Sequence, residues 1–357
     1  MEPVTEPIKF KHPASAFMLF LILFNIGVEL FIFEVMLPAQ LISIEVVRSL
    51  WFMMALMVVR FILPLFIWLA ITKDSFRRHM PTQPMGALNY LYIVLVSLLV
   101  IPAMMLVAAV SSLFVNNDAA DFLAGASGRG YSWLAMMLVV AVTPGIVEEL
   151  VFRGYIQSVS RGSVRKIALM NGLLFGLMHM NLHQLAYTFL LGVFFAYMLY
   201  YTRNIWSVII SHFLVNGFNI TWAHWATQSA EYVDAATDQT LSQLMYESFV
   251  DTDPELAQRV YDIFYDIDII WLAIAVVGFI AIFTTIGAAV LFYVMVRHNK
   301  KRNAAFDSRL ETAAQPAVQD TDPTPQVPPS FYSRIDWCLV WVIVIYVALT
   351  IVLPRVL

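Results

Sequence analysis

Apolar residues run along this chain in long, nearly unbroken stretches, and polar residues gather in short clusters between them. Strands would show alternation with period two, and helices of soluble proteins would show a one-sided apolar stripe. A bilayer core takes about 20 mainly apolar residues per helix. On that template the sequence predicts nine spans, near 17–36, 50–72, 87–115, 132–157, 167–180, 185–201, 205–222, 269–296 and 336–353. The predicted fold class is therefore all-α, a polytopic transmembrane helix bundle of about nine spans, with a four-helix core between residues 130 and 222.

Lysine and arginine orient the bundle, because they concentrate in cytoplasmic loops. Of the 21 such residues, fifteen fall in segments on the side of the N-terminus, four on the other side, and Arg60 and Arg153 within spans. This predicts a multi-pass protein of the plasma (inner) membrane with a cytoplasmic N-terminus and an external C-terminus. Lys9 and Lys11 precede an apolar run too long for a signal peptide and without a small-residue cleavage site, so the run is read as a retained first span.

The same reading divides the chain into segments. A cytoplasmic N-terminus (1–16) leads into N-terminal membrane helices (17–129) and the core (130–222). An acidic extramembrane connection (223–268), a membrane helix (269–297), a charged and Pro-rich linker (298–335) and a C-terminal membrane helix (336–357) follow. Within the connection, Asp253-Pro254-Glu255 has the order of an N-cap, a first-position proline and a first-turn acid, predicting a short helix.

Composition narrows the function classes. With 60% hydrophobic and 13% charged residues, the chain belongs with integral membrane proteins. A net charge of -4 without a basic block excludes nucleic acid as a partner. The single cysteine, Cys338, excludes an intramolecular disulfide framework and a cysteine zinc site.

Charge inside a span costs at least ~2.5–3.5 kcal/mol, so such residues face the bundle interior and are functional candidates. Glu29, Glu34 and Arg60 are three of them; Glu29 and Arg60 sit on consecutive antiparallel spans, at depths of about 10 and 16 Å, and are predicted to form a structural ion pair. A second set is Glu148, Glu149, Arg153, His179, His212 and Asn216. Counted from the cytoplasmic ends, Glu148, His179 and His212 lie roughly 13, 16 and 12 Å deep, so three separate spans can share one site. Glu149 and Arg153 have the i, i+4 order favourable for a helical ion pair, which leaves Glu148 without a local cation and poised for proton transfer. Purely structural pairing of both acids with Arg153 is the alternative. The two histidines favour acid/base chemistry or a metal. Asn216, one turn beyond His212, adds a second donor for a developing oxyanion. In "HMNLH", His179 and His183 have zinc-like spacing but lack the following glutamate, and His183 is read as a loop residue.

At these positions the sequence resembles the CAAX protease and bacteriocin-processing (CPBP, or Abi) family, which includes type II CAAX prenyl endopeptidases. Its three signatures stand here in order: Glu148-Glu149-Leu150-Val151-Phe152-Arg153, Phe175-Gly176-Leu177-Met178-His179, and His212-Phe213-Leu214-Val215-Asn216. The resemblance covers roughly residues 130–222. It implies a bundle of about eight helices around a conical cavity open to the cytoplasmic side. It also implies hydrolysis of a peptide bond in a membrane-associated protein or peptide, including prenylated CAAX-type substrates. Glu148 and His179 would activate water, His212 and Asn216 would stabilise the oxyanion, and Glu149 and Arg153 would hold the first carboxylate in place. The family is also described as metalloproteases, so zinc is a possible cofactor. A cofactor-free glutamate mechanism is preferred because no three-ligand set has conventional spacing. The expected partners are the substrate and the lipid bilayer. A non-catalytic immunity or scaffold protein of the same fold, and a proton-coupled transporter, are the alternatives.

Overall fold

The computed structural model describes residues 10–115, 125–126, 129–233, 241–264, 269–313 and 336–352. Short polar side chains set the helix starts. Ser49 accepts from the Phe52 amide (3.2 Å), Ser132 from Ala135 (3.2 Å), Ser163 from Lys166 (3.4 Å), and Asn181 from Gln184 (3.0 Å). Each satisfies an amide that the first helical turn leaves without a partner. Two helices end on residues in the left-handed region, Lys73 (φ 51°) and Arg203 (φ 53°).

The elements are α1 (Pro13–Met36), α2 (Leu50–Thr72), α3 (Ala87–Ser112), α4 (Trp133–Val159), α5 (Val164–Met178), α6 (Leu182–Thr202) and α7 (Ile205–Val233), followed by α8 (Leu241–Val250), α9 (Pro254–Phe264), α10 (Ile269–Ala313) and α11 (Trp337–Val347). Among the described residues no strand forms beyond an isolated bridge between Thr82 and Asn204. Among the described residues six helices, namely α1 to α4, α6 and the part of α10 from Ile274 to Ser308, are long and apolar enough to cross a membrane. The other three predicted spans are helices too, but α5 has 15 residues and α11 has 11, short of a full crossing.

Polar contacts between chain segments show that successive helices run alternately between two ends. At one end Ser15 bonds Asp336, His79 lies 2.6 Å from Ser158, Thr82 bridges Asn204, and Asn299 donates to Asn89 (2.7 Å). At the other, the Leu50 amide donates to Tyr131, Ser112 lies 2.8 Å from His183, and Trp133 donates to Thr221 (3.1 Å). The first end carries most of the lysines and arginines and is called the basic end below. Between the ends, large apolar side chains such as Leu23, Phe66, Leu91 and Phe283 stand exposed around the outside, as lipid contact requires.

Three expectations need correction. His183 is not in a loop: Asn181 caps α6, so His183 falls in the first helical turn, 2% exposed. The segment 223–268 does not begin as a connection, since α7 continues to Val233. The basic stretch after residue 297 does not start a linker, since α10 continues to Ala313. Asn299, Arg302 and Asn303 fasten that extension to Asn89 and to the Thr202 and Tyr201 carbonyls, so polar contacts replace lipid burial there. The predicted helix after Asp253 forms, with the Asp253 carboxylate accepting from Leu256 (3.0 Å). Residues 314–335, with the Pro-rich segment, lie outside the described residues.

Candidate active site

Helix α4 is not uniform. It widens to π geometry over Leu138–Val142 and again over Leu150–Ile156, on either side of the α-helical turns that carry Glu148 and Glu149. Each π turn rotates the following residues relative to a regular helix, a feature frequent at functional sites. The result is that Glu148, Glu149 and Arg153 are all directed inward, with relative exposures of 8%, 0% and 0%.

Glu149 and Glu148 then meet different surroundings. Glu149 Oε1 accepts from Arg153 Nη1 at 3.0 Å and pairs with His212 Nδ1 at 2.7 Å. Arg153 also donates to the Gly192 carbonyl (3.4 Å), and its guanidinium lies 4.2 Å from the Phe175 ring, 5.1 Å from Phe195 and 5.8 Å from Phe152. This aromatic box gives the desolvated cation π-faces in place of water. It also assigns a physical job to the phenylalanines of the first two signatures. Glu148 lies outside this network: its Oε2 is buried and has no hydrogen-bond partner among the described residues.

His179 caps the C-terminus of α5 and is oriented by its own helix, with Nδ1 2.8 Å from the Phe175 carbonyl and the Phe175 ring edge-on at 4.9 Å. Donation from Nδ1 fixes the tautomer that leaves Nε2 with its lone pair. His212, on α7, stacks on Phe195 (5.5 Å between centroids) and is held by Glu149. Asn216 donates one amide hydrogen to the Val140 carbonyl (3.1 Å), inside the first π stretch of α4. Among the described residues its second amide hydrogen makes no hydrogen bond.

Two adjoining cavities meet at these residues. One, of about 460 Å³, is lined by Glu148, His179, His212 and Asn216. The other, of about 700 Å³, shares Glu148, His179 and Asn216 and reaches Glu29 and Arg60. The six sequence-selected residues therefore converge, although Glu149 and Arg153 support the cavity wall from behind rather than line these two cavities. Glu29 and Arg60 pair at 2.6 Å as predicted, and their pair forms part of the larger cavity's wall. Sequence reading missed Tyr187 and Gln184, which also line the smaller cavity, because neither is unusual in a helix beginning at a membrane interface. Gln184 lies one turn beyond Met180, in the segment immediately following His179, the only cue available.

Both cavities extend from the buried acids toward the end opposite the basic one. Their linings come from the first halves of α2 and α6 (Met53, Leu56, Gln184) and from Asn219 and Ile220 on α7. The resemblance implies a cavity facing the cytoplasm, whereas the distribution of positive charge puts the basic end there. In this fold the two expectations point in opposite directions.

A zinc ion would need three of these groups within about 2.0–2.2 Å of one point. Among the described residues no three histidine, cysteine, aspartate or glutamate side chains are grouped to hold a metal. The residues as arranged do not fit that ion.

Residues 130–218 match the family model described as type II CAAX prenyl endopeptidase Rce1-like. That segment is a domain of the CPBP/Abi family, a family of membrane proteases. No curated protein and no solved structure matches the chain.

Proposed function

We propose that the chain is an intramembrane endopeptidase in which Glu148 and His179 activate water and His212 and Asn216 stabilise the tetrahedral oxyanion. The observation that carries this reading is the asymmetry between neighbouring acids. Glu149 Oε1 is engaged by Arg153 and His212, whereas Glu148 makes no such pair and is the one of the two acids that lines the cavity shared with His179; Oε2 of each is without a partner among the described residues.

The chemistry follows from those positions. A water between Glu148 and the His179 imidazole gives up a proton as its oxygen attacks the scissile carbonyl. The carbonyl oxygen, gaining negative charge, is met by the Asn216 amide and by the His212 imidazole. Glu149 stabilises an imidazolium at His212 through Nδ1, which leaves an N–H on Nε2 to donate. The acid formed at Glu148 returns its proton to the departing amine, so the catalyst is regenerated. A positioned acid/base group contributes typically ~10²–10⁴-fold and an oxyanion donor ~10²–10³-fold.

The substrate class proposed is a membrane-associated protein or peptide, with prenylated CAAX-type proteins as the subclass suggested by the matched domain. The test is cleavage of farnesylated and unmodified peptide libraries by the purified chain in lipid, with and without a strong chelator. Glu148→Gln should lower the rate at least ~10²-fold while leaving a folded protein. Undiminished cleavage by that variant would remove Glu148 from catalysis. Loss on chelation with recovery on zinc would replace the glutamate mechanism by a metal one.

A further inference from the structure

Behind Arg153, on the side away from the proposed catalytic cavities, lies a separate cavity of about 610 Å³ at the basic end. Its lining contains four cations, Arg78, Arg153, Arg203 and Lys300, and a single carboxylate, Asp307. Asp307 is committed to Arg203 by two hydrogen bonds of 2.7 and 3.1 Å, and Asp74, outside the lining, holds Arg78 at 3.1 Å. Among the described residues Lys300 meets the face of the Tyr201 ring, 5.7 Å away, and no carboxylate. Arg153 is fully buried, and its Nε has no partner among the described residues. Glu149 and Asp74 offset Arg153 and Arg78 from outside the lining, so the surplus is the exposed Lys300 ammonium, to which an anion can bind without displacing a carboxylate.

Its surroundings indicate where the anion comes from. Tyr200, a lining residue, is 48% exposed and Trp206, just beyond Arg203, is 53% exposed. Large amphipathic rings exposed at helix ends mark the level of lipid headgroups. A basic pocket between membrane helices at that level suits an anionic headgroup. We infer that this cavity binds the phosphate of an anionic phospholipid from the leaflet at the basic end. Through Arg153, which touches this cavity and also holds Glu149, the bound lipid would contact the back of the proposed catalytic wall.

Native mass spectrometry of the full chain, in mixed micelles containing phosphatidylglycerol and phosphatidylcholine, tests the site directly and requires no protease activity. Wild type should retain phosphatidylglycerol preferentially. Arg78→Gln and Lys300→Gln singly should weaken retention, and the double variant should weaken it at least tenfold, whereas Arg48→Gln at the opposite end should leave it unchanged. Arg78 and Lys300 are both exposed, so the single variants keep the test open if the double variant folds poorly. Equal retention by wild type and the variants would overturn the proposal, as would indifference between the two lipids. Displacement by millimolar inorganic phosphate, with that ion binding alone, would overturn the lipid source and assign the cavity to a soluble phosphate.

Discussion

A guanidinium with no solvent exposure needs partners in place of water, and Arg153 has a carboxylate, a carbonyl and three aromatic rings, its Nε being left without a hydrogen-bond partner among the described residues. Breaking a buried ion pair from one side leaves the other charge stranded, at a cost of roughly 3–5 kcal/mol, whereas replacing the whole pair by apolar groups is often neutral. Arg153→Met should therefore lower thermal stability sharply, and Glu149→Gln in the same background should recover much of the loss. A double-mutant cycle read by thermal unfolding in lipid measures this, and simple additivity of the two losses would contradict the pairing. His212 enters the same account because it shares Glu149 Oε1. Part of this was legible in the chain: the i, i+4 spacing of Glu149 and Arg153 gives their pairing directly. The aromatic box was not. Phe195 lies on α6, and nothing in its spacing relates it to Arg153; only the packing of α6 against α4 brings the ring and the cation together.

Helices α5 and α6 cross where Gly172 meets Gly192: a Cβ added at Gly192 would lie 2.6 Å from the Gly172 Cα, and one at Gly172 would lie 2.7 Å from the Phe189 carbonyl oxygen. Backbone blocks both, so neither clash is relieved by a rotamer change. Small residues at such a crossing let the backbones approach. The approach places the Gly192 carbonyl within reach of Arg153, and α5 carries His179 at its end. Gly192→Ala should destabilise the protein by about 1–3 kcal/mol, the usual cost of overpacking. It should also reduce turnover of the folded fraction, because the two helices that set the distance between His179 and Arg153 are pushed apart. Unchanged stability by thermal unfolding would show that the crossing yields more easily than its backbone contacts suggest. One helix start was legible, from the Asp253 cap followed by Pro254, whereas Asn181, in a polar cluster that reads as a loop, caps a helix instead. Helix ends were less so. The charges after residue 297 read as a membrane stop, yet Lys, Arg and Ala are good helix formers, and the helix continues beyond the apolar stretch. The π turns of α4 left no trace in the sequence, since they depend on what the helix packs against.

The whole molecule has two chemically distinct ends, with the anion-seeking cavity at the basic end and the cavities beside Glu148 extending toward the other. The alternation of helices and the convergence of Glu148, His179 and His212 were readable from hydropathy and depth counting, because both depend only on the rise of a helix through a slab of fixed thickness. Which end the proposed substrate approaches was not readable, because the direction of a cavity is set by which helix halves splay apart. Positive charge in loops orients membrane proteins by its cytoplasmic retention. On that argument the proposed site is reached from the external side, whereas a prenylated CAAX-type tail is presented in the cytoplasm, so orientation decides whether the proposed subclass reaches the site. The chain holds one cysteine, Cys338, so orientation can be measured cleanly in a Cys338→Ser background. Single cysteines at Lys166 and Arg48 lie at opposite ends. An impermeant maleimide added to intact cells should label the cysteine at position 48 and spare that at 166 until the membrane is broken. The reverse pattern would turn the molecule over, place the proposed catalytic cavities on the cytoplasmic side, and put them within reach of a prenylated tail.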